Sequence, residues 1–276
     1  MSKVEQPAWP GADVRSARTA AELVARAASV FARGELPPEL RGGHFRQWCD
    51  GVAQVRAHRA AFAEYWYHHN ERALAADGPL WVALGDSAAQ GLGATHPRHG
   101  YVGQAQAYLT RRSGRPWRVL NLSRSGATIP DLLHEQLPRL AALPITPDLV
   151  TCGVGTNDLF RVPLPKVRAL FRTLIDAMPD NSVILDIPLP KGRWGIGRIA
   201  APYVARANTT IYAAARARRL PVAYVSSHFT PPWAGKFGPD DFHPNADGYR
   251  HWCRAVLQVL PPSLLDRPAP AFAEAA

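Results

Sequence analysis

Residues 80–94 read Leu80-Trp81-Val82-Ala83-Leu84-Gly85-Asp86-Ser87-Ala88-Ala89-Gln90-Gly91-Leu92-Gly93-Ala94. Five apolar residues, Leu80 to Leu84, stop at Gly85, which is the pattern of a buried strand emptying into a tight turn. The turn delivers Ser87 at the carboxyl end of that strand, where open α/β sheets place their ligands. Gly91 and Gly93 keep the following backbone bare of side chains, which suits a site that a substrate must approach. Taken alone, Gly85-Asp86-Ser87 also fits an ordinary turn, because Asp and Ser bond readily to local backbone groups.

Downstream of this stretch the chain alternates strand and helix signals. Apolar strand candidates follow at Trp117 to Leu122, Asp148 to Gly153, Ser182 to Ile187 and Pro221 to Ser226. Between and after them lie helix candidates at about Tyr101 to Arg112, Pro130 to Leu143, Pro165 to Met178, Tyr203 to Arg219 and Ala246 to Leu260. This rhythm predicts an α/β fold, a three-layer α/β/α sandwich around a five-stranded parallel sheet with right-handed crossovers.

Upstream, residues 1 to 17 carry Pro7, Pro10 and Gly11 and read as a loose arm. A first helix is expected from about Thr19 to Arg33, opened by the capping-box spacing of Thr19 and Glu22 and ended by Gly34, Pro37 and Pro38. A longer helix is expected from His44 to Ala76, because Phe45, Trp48, Val52, Val55, Phe62, Trp66 and Ala73 alternate by threes and fours. The two would pack as a hairpin on the following domain; alternatively Phe62, Tyr65, Trp66 and Tyr67 would roof a substrate groove. His68 and His69 are adjacent and point apart on a helix, a poor arrangement for a metal pair. The expected division is an arm and helical extension over 1–77, a catalytic domain over 78–262 and a disordered Pro- and Ala-rich tail over 263–276.

With 276 residues the chain is long enough for one large domain and a substantial core. It contains no apolar run long enough to span a bilayer, and its first residues lack the layout of a signal peptide. A soluble, cytoplasmic protein is the expectation. Cys49, Cys152 and Cys253 are odd in number and far apart, so they are expected to be buried free thiols, neither a disulfide framework nor a zinc cluster. The formal charge of +10 would suit a polyanionic partner. The basic residues are, however, almost all arginine, scattered without any long block, and no nucleic-acid-binding module accompanies them, so no nucleic acid partner is expected.

The chemistry concentrates in the polar turns after the strands. After the second strand comes Asn121-Leu122-Ser123-Arg124-Ser125-Gly126-Ala127-Thr128, where Gly126 presents a bare backbone N–H. After the third comes Gly153-Val154-Gly155-Thr156-Asn157-Asp158, which offers a side-chain amide. Near the end, Asp240-Asp241-Phe242-His243-Pro244 sets a carboxylate three residues before a histidine. An ester-cleaving serine needs a base, a carboxylate to orient that base, and donors aimed at the developing oxyanion. These turns contain each part.

These segments resemble the SGNH, or GDSL-type, hydrolase superfamily. Its first block corresponds to Gly85-Asp86-Ser87 with Gly91 and Gly93, its second to Gly126, its third to Gly155-Thr156-Asn157-Asp158 and its last to Asp240 through His243, in the family's order across residues 80 to 260. The leucine usual after the serine is Ala88 here. The resemblance implies a flavodoxin-like SGNH fold with Ser87 as nucleophile, His243 as general base and acid, and Asp240, on the family's Asp-x-x-His spacing, orienting His243 in preference to Asp241. It also implies an oxyanion hole of the Ser87 and Gly126 N–H groups with the Asn157 amide, and no cofactor or metal. Asp86 and Asp158 are expected to hold turns, and His96, His99 and His228 to be structural or solvent-facing. Pro188 to Gly197, with three glycines around Trp194, and Phe229 to Gly238, with Pro231, Pro232, Trp233 and Phe237, are the candidate pocket walls.

The implied activity is hydrolysis of a small-molecule carboxylic ester through an acyl-enzyme. Transfer of the acyl group to a sugar or metabolite hydroxyl, or deacetylation of a carbohydrate, would use the same residues. A basic-surface binding module would need none of them. Peripheral membrane contact, oligomeric state, acyl chain and alcohol stay open.

Overall fold

A computed structural model describes residues 43–189 and 196–266. Helix α1 (Gly43–Ala75) leads into β1 (Leu80–Gly85), the short α2 (Ser87–Gln90), a 3-10 turn (Pro97–His99), α3 (Tyr101–Ser113) and β2 (Arg118–Asn121). A broken helix follows, with α4 (Ile129–Asp131) and α5 (Leu137–Ala141) joined by a π-helical stretch (Leu132–Gln136). Then come β3 (Leu149–Gly153), α6 (Thr156–Leu159), α7 (Leu164–Asp176), β4 (Ser182–Leu185), α8 (Ile196–Ala217), β5 (Val222–Ala223), α9 (Val225–His228), α10 (Ala246–Gln258) and α11 (Pro262–Leu265). The expected helix at Thr19 to Arg33 lies outside the described residues.

The five strands form one parallel sheet in the order β2-β1-β3-β4-β5. Period-two alternation of β1 explains why all of it is apolar. Leu80, Val82 and Leu84 enter one core with Phe171, Ile175 and Ile211, whereas Trp81 and Ala83 enter the other with Tyr101, Leu109 and Tyr249. The chain runs outward from β1 to β2 and then crosses back to β3, so the direction of winding reverses between β1 and β3. A crevice opens outside the carboxyl ends of strands at such a reversal. Gly85-Asp86-Ser87 leaves one side of it, and Gly153 to Asn157 leaves the other.

Several departures from the sequence expectations have local causes. The helix expected over Pro130 to Leu143 takes a π-turn, in which the Leu137 N–H bonds to Leu132 O. Pro138, next in the chain, has no N–H for an α-helical bond. Strand five is only two residues long, because the Asp186 carboxylate accepts both the Ser226 N–H (2.9 Å) and its hydroxyl and so turns the chain into α9. Helix α8 begins at Ile196, ahead of the expected Tyr203, and carries Pro202 within it. Residues 263–265, expected at the start of a disordered tail, belong with Pro262 to α11, whose Leu264 and Leu265 pack on the core; residues 267–276 lie outside the described residues. Cys152 and Cys253 are buried free thiols, but Cys49 is exposed on α1.

Helix α1 packs on the sheet edge and does not roof the cleft; the hairpin expected with the helix at Thr19 to Arg33 lies outside the described residues. Val55, Phe62, Trp66 and Ala73 are buried, Tyr67 is exposed, and none of Phe62, Tyr65, Trp66 or Tyr67 lines the cleft beside Ser87 described below. The Asn70 side chain donates to Asn121 O (2.9 Å) and accepts from Asn121 N (2.8 Å), while Arg118 donates to the carbonyls of Ala73, Ala76 and Gly78. Among the described residues, no helix is long and apolar enough to cross a membrane.

Candidate active site

Ser87 opens α2 immediately after β1. Asp86 caps that helix, its carboxylate accepting the Ala88 N–H at 3.0 Å, and Gly85 makes the approach at φ +153°. A side chain at Gly85 would collide with Gly153 O on the neighbouring strand. The turn is held from below by Gln136, whose amide accepts from Gly85 N (2.9 Å) and donates to Gly85 O (2.8 Å). Behind α2, Asn121 Nδ2 donates to Ala89 O (2.8 Å) and Gln90 Nε2 to Ser123 O (3.1 Å).

The last block brings its residues to the same point. His243 Nε2 lies 2.9 Å from Ser87 Oγ, and His243 Nδ1 lies 2.5 Å from Asp240 Oδ2. Asp240 Oδ1 accepts the backbone N–H groups of His243 (3.0 Å) and Phe242 (3.2 Å), so the carboxylate is fixed on the turn that carries the histidine. Ser87, Asp240 and His243 are all more than nine-tenths buried. Burial pushes the Asp240 carboxyl up, but the His243 hydrogen bond and charge and the two backbone donors outweigh it and hold it below the usual range. Asp241 does not take this place; it adopts a left-handed φ of +57° and lines the cleft.

The second and third blocks close around the serine. Arg124 N donates to Gly85 O (3.2 Å), which ties the loop before Gly126 to the turn that carries Ser87. Gly126 has φ +79°, and the position its Cβ would take is open. Asn157, on α6, donates from Nδ2 to Ala127 O at 2.9 Å and lies 3.4 Å from Asp86 Oδ2. Asp158 accepts the Ile129 N–H with both oxygens, at 3.0 and 3.2 Å, and so fastens the end of the second block to the third. Burial pushes both Asp86 and Asp158 up to about 6.

His96, His99 and His228 do not line the cleft. His96 accepts the Arg98 N–H, His99 bonds Thr95, and His228 bonds Tyr224 O and Gln258. Of the candidate walls, Pro188, Leu189, Phe229 and Phe237 line the cleft; residues 190–195, including Trp194, lie outside the described residues. The cavity measures about 190 Å³ and runs from Ser87 past Val154 and Ile187 to Val204 on α8. Tyr203, Val204, Phe160 and Asp186 on its walls escaped the sequence reading. Asp186 directly follows β4, so the carboxyl-edge rule that picked out Ser87 also applied to it. Among the described residues, no group of three or more His, Cys, Asp or Glu side chains is arranged to hold a metal ion.

Residues 83–251 match the GDSL-like lipase/acylhydrolase family. Among solved structures, the crystal structure of TesA is similar at 23% identity and a TM-score of 0.56, over 67% of this chain and 99% of that one. The lipase/acylhydrolase from Enterococcus faecalis aligns at 19% identity and a TM-score of 0.55, covering 69% of this chain and 100% of its own. Axe2, an acetylxylan esterase from Geobacillus stearothermophilus, aligns at 19% and 0.51, over 66% and 94%. At such identities the likeness is one of fold. The sequence has no significant match among curated proteins.

Proposed function

The chain belongs to the GDSL-like lipase/acylhydrolase family, whose members are serine ester hydrolases, and on that premise we propose that Ser87, His243 and Asp240 are its catalytic triad. The observation that carries this is the buried relay of two hydrogen bonds, Ser87 Oγ to His243 Nε2 and His243 Nδ1 to Asp240 Oδ2, opening onto an apolar cleft. Asp240 accepts the Nδ1 proton and so leaves Nε2 unprotonated toward the serine.

His243 takes the hydroxyl proton as Ser87 Oγ attacks the ester carbonyl carbon, and the carbonyl electron pair moves onto oxygen. The N–H groups of Ser87 and Gly126 and the Asn157 amide receive that oxyanion. Each such donor is worth about 3 to 4 kcal/mol in the transition state. The second Asn157 hydrogen faces Asp86 across a long 3.4 Å contact, a weak bond that an oxyanion displaces. Collapse expels the alkoxide, which takes the proton from His243, and leaves acyl-Ser87. Water, deprotonated by His243, then releases the acid and restores the serine.

The cleft walls favour an apolar acyl chain over acetyl. Val154, Leu159, Ile187, Leu189, Val204 and Phe237 surround the cavity, and burying each methylene there contributes about 0.8 kcal/mol. The test is a Ser87→Ala variant, with a fluorophosphonate label and aryl esters of rising acyl length. Loss of label and turnover in a folded variant, with the wild type preferring longer acyl chains, is expected. A folded Ser87→Ala protein that still turned over esters would overturn the assignment, and a wild type fastest on acetate would overturn the acyl preference. Running the panel with added alcohols reads out acyl transfer against hydrolysis.

A further inference from the structure

Helix α1 precedes the family-matched residues 83–251, yet it touches the elements that carry both Ser87 and His243. At its amino-terminal end Gly51 is pressed on the turn before His243: a Cβ there would lie 2.0 Å from Pro239 O and 3.1 Å from Asp240 N. One turn on, Val55 joins Phe62 and Leu92 in a small buried cluster of their own. Leu92 follows α2, and its O accepts the hydroxyl of Tyr249 from α10 at 2.6 Å. Farther along, Trp66 Nε1 donates to Gln90 O, the last residue of α2, at 2.9 Å, in a fully buried bond. Asn70 then clamps Asn121, whose own amide holds Ala89 O. One helix thus runs from the Asp240 turn, past the back of the serine helix, to the end of β2.

We propose that α1 is a positioning element of the active site, with Gly51 acting through Asp240 and Trp66 acting through α2 on Ser87. The proposal rests on the catalytic reading of Ser87, His243 and Asp240. The two elements that must stay in register come from opposite ends of the domain, 156 positions apart in sequence. A shift of about 1 Å between a nucleophile and its base costs as much as about 10² in rate, and α1 contacts the supports of both. Gly51 is required by proximity, because a side chain there would displace the Pro239–Asp240 backbone.

The experiment measures kcat and KM on a small activated ester, per site counted by fluorophosphonate titration, in the full chain. Gly51→Ala moves the Asp240 turn and should lower kcat about tenfold or more while KM stays within about twofold. In an Asp240→Asn background the same substitution should cost little further, since the group it acts through is already gone. Trp66→Phe keeps the ring and deletes the N–H, and should slow fluorophosphonate labelling of Ser87 about threefold to tenfold, by the loss of one buried bond. If both variants melt earlier but keep wild-type kcat per titrated site, α1 is a stabilising element only and the proposal fails. If Gly51→Ala does not fold, the labelling rate of Trp66→Phe decides. An additive loss of Gly51→Ala on Asp240→Asn also overturns the route through Asp240. Ser87→Ala is run alongside: a variant that still labels defeats the catalytic reading, whereas a dead Ser87→Ala beside unaffected helix variants defeats only the positioning role.

Discussion

Gly93 and His243 are packed so closely that a Cβ on the glycine would sit 2.6 Å from the histidine Cβ and 2.5 Å from Pro244 O. Gly93 also holds φ +93°, which a residue with a side chain adopts only under strain. The glycine after the serine block therefore sets where His243 stands. Gly93→Ala should push His243 off Ser87 Oγ, lowering kcat about 10²-fold with little change in KM. Steady-state kinetics with melting curves check this; a kcat near wild type would show that the imidazole can retreat without losing the serine.

Asp240→Asn should leave the fold intact but put the wrong tautomer on His243, with a loss approaching about 10⁴ in turnover by analogy with other triads. Asp241→Asn should cost far less, since Asp240, not Asp241, contacts the ring nitrogen. Both variants are compared on one activated ester at equal stability. A larger loss at Asp241 would require redrawing the relay.

Lengthening a wall residue should shorten the acyl chain that fits. Val204 is buried on the cleft wall, and Val204→Phe fills part of the cavity. The ratio of kcat/KM for octanoyl over acetyl aryl esters should fall about tenfold or more, the discrimination one or two methylenes carry in an apolar pocket. An unchanged ratio would place the acyl group elsewhere.

Burial disfavours the Asp158 charge and pushes its carboxyl up to about 6, against an ordinary value of 3.8. Between those values the folded state holds a proton that the unfolded chain has released, so this group's contribution to stability falls as pH rises from about 4 to about 6. Asp158→Asn removes that loss while its amide oxygen still accepts the Ile129 N–H. Its melting temperature relative to wild type should therefore rise across this pH window and level off above it. Denaturation curves from pH 4 to 8 check the sign; a difference that stays flat would mean the carboxylate is charged throughout.

The parts of the site that were legible in sequence are those whose signals are local. Asp240 and His243 sit on one turn, three residues apart, and Ser87 follows an apolar run that reads as a strand by itself. Supports reached across the sheet left no such trace. Gln136 bonds both backbone atoms of Gly85 from 51 positions away, inside a π-turn that periodicity alone reads as ordinary helix. Asp186 ends strand five early through bonds to Ser226, 40 positions on, so an apolar run that promised a longer strand stops after two residues. The partners of α1 were hidden for the same reason: its apolar stripe declared that it packs, but not that Gly51 lands on the Pro239–Asp240 backbone and Trp66 on the end of α2.

The bidentate grip of Asn70 on Asn121 bears on how this protein behaves in a crowded solution. β2 is a border strand, and a border strand offers unpaired peptide groups to any extended chain that drifts past. Asn70 meets the N–H and C=O of Asn121 as a neighbouring strand would, and Arg118 lies with its guanidinium on carbonyls at the end of α1. At the opposite border, β5 is only two residues long. Among the described residues, neither margin leaves a long template for intermolecular strand pairing, although the sheet is not rolled into a barrel.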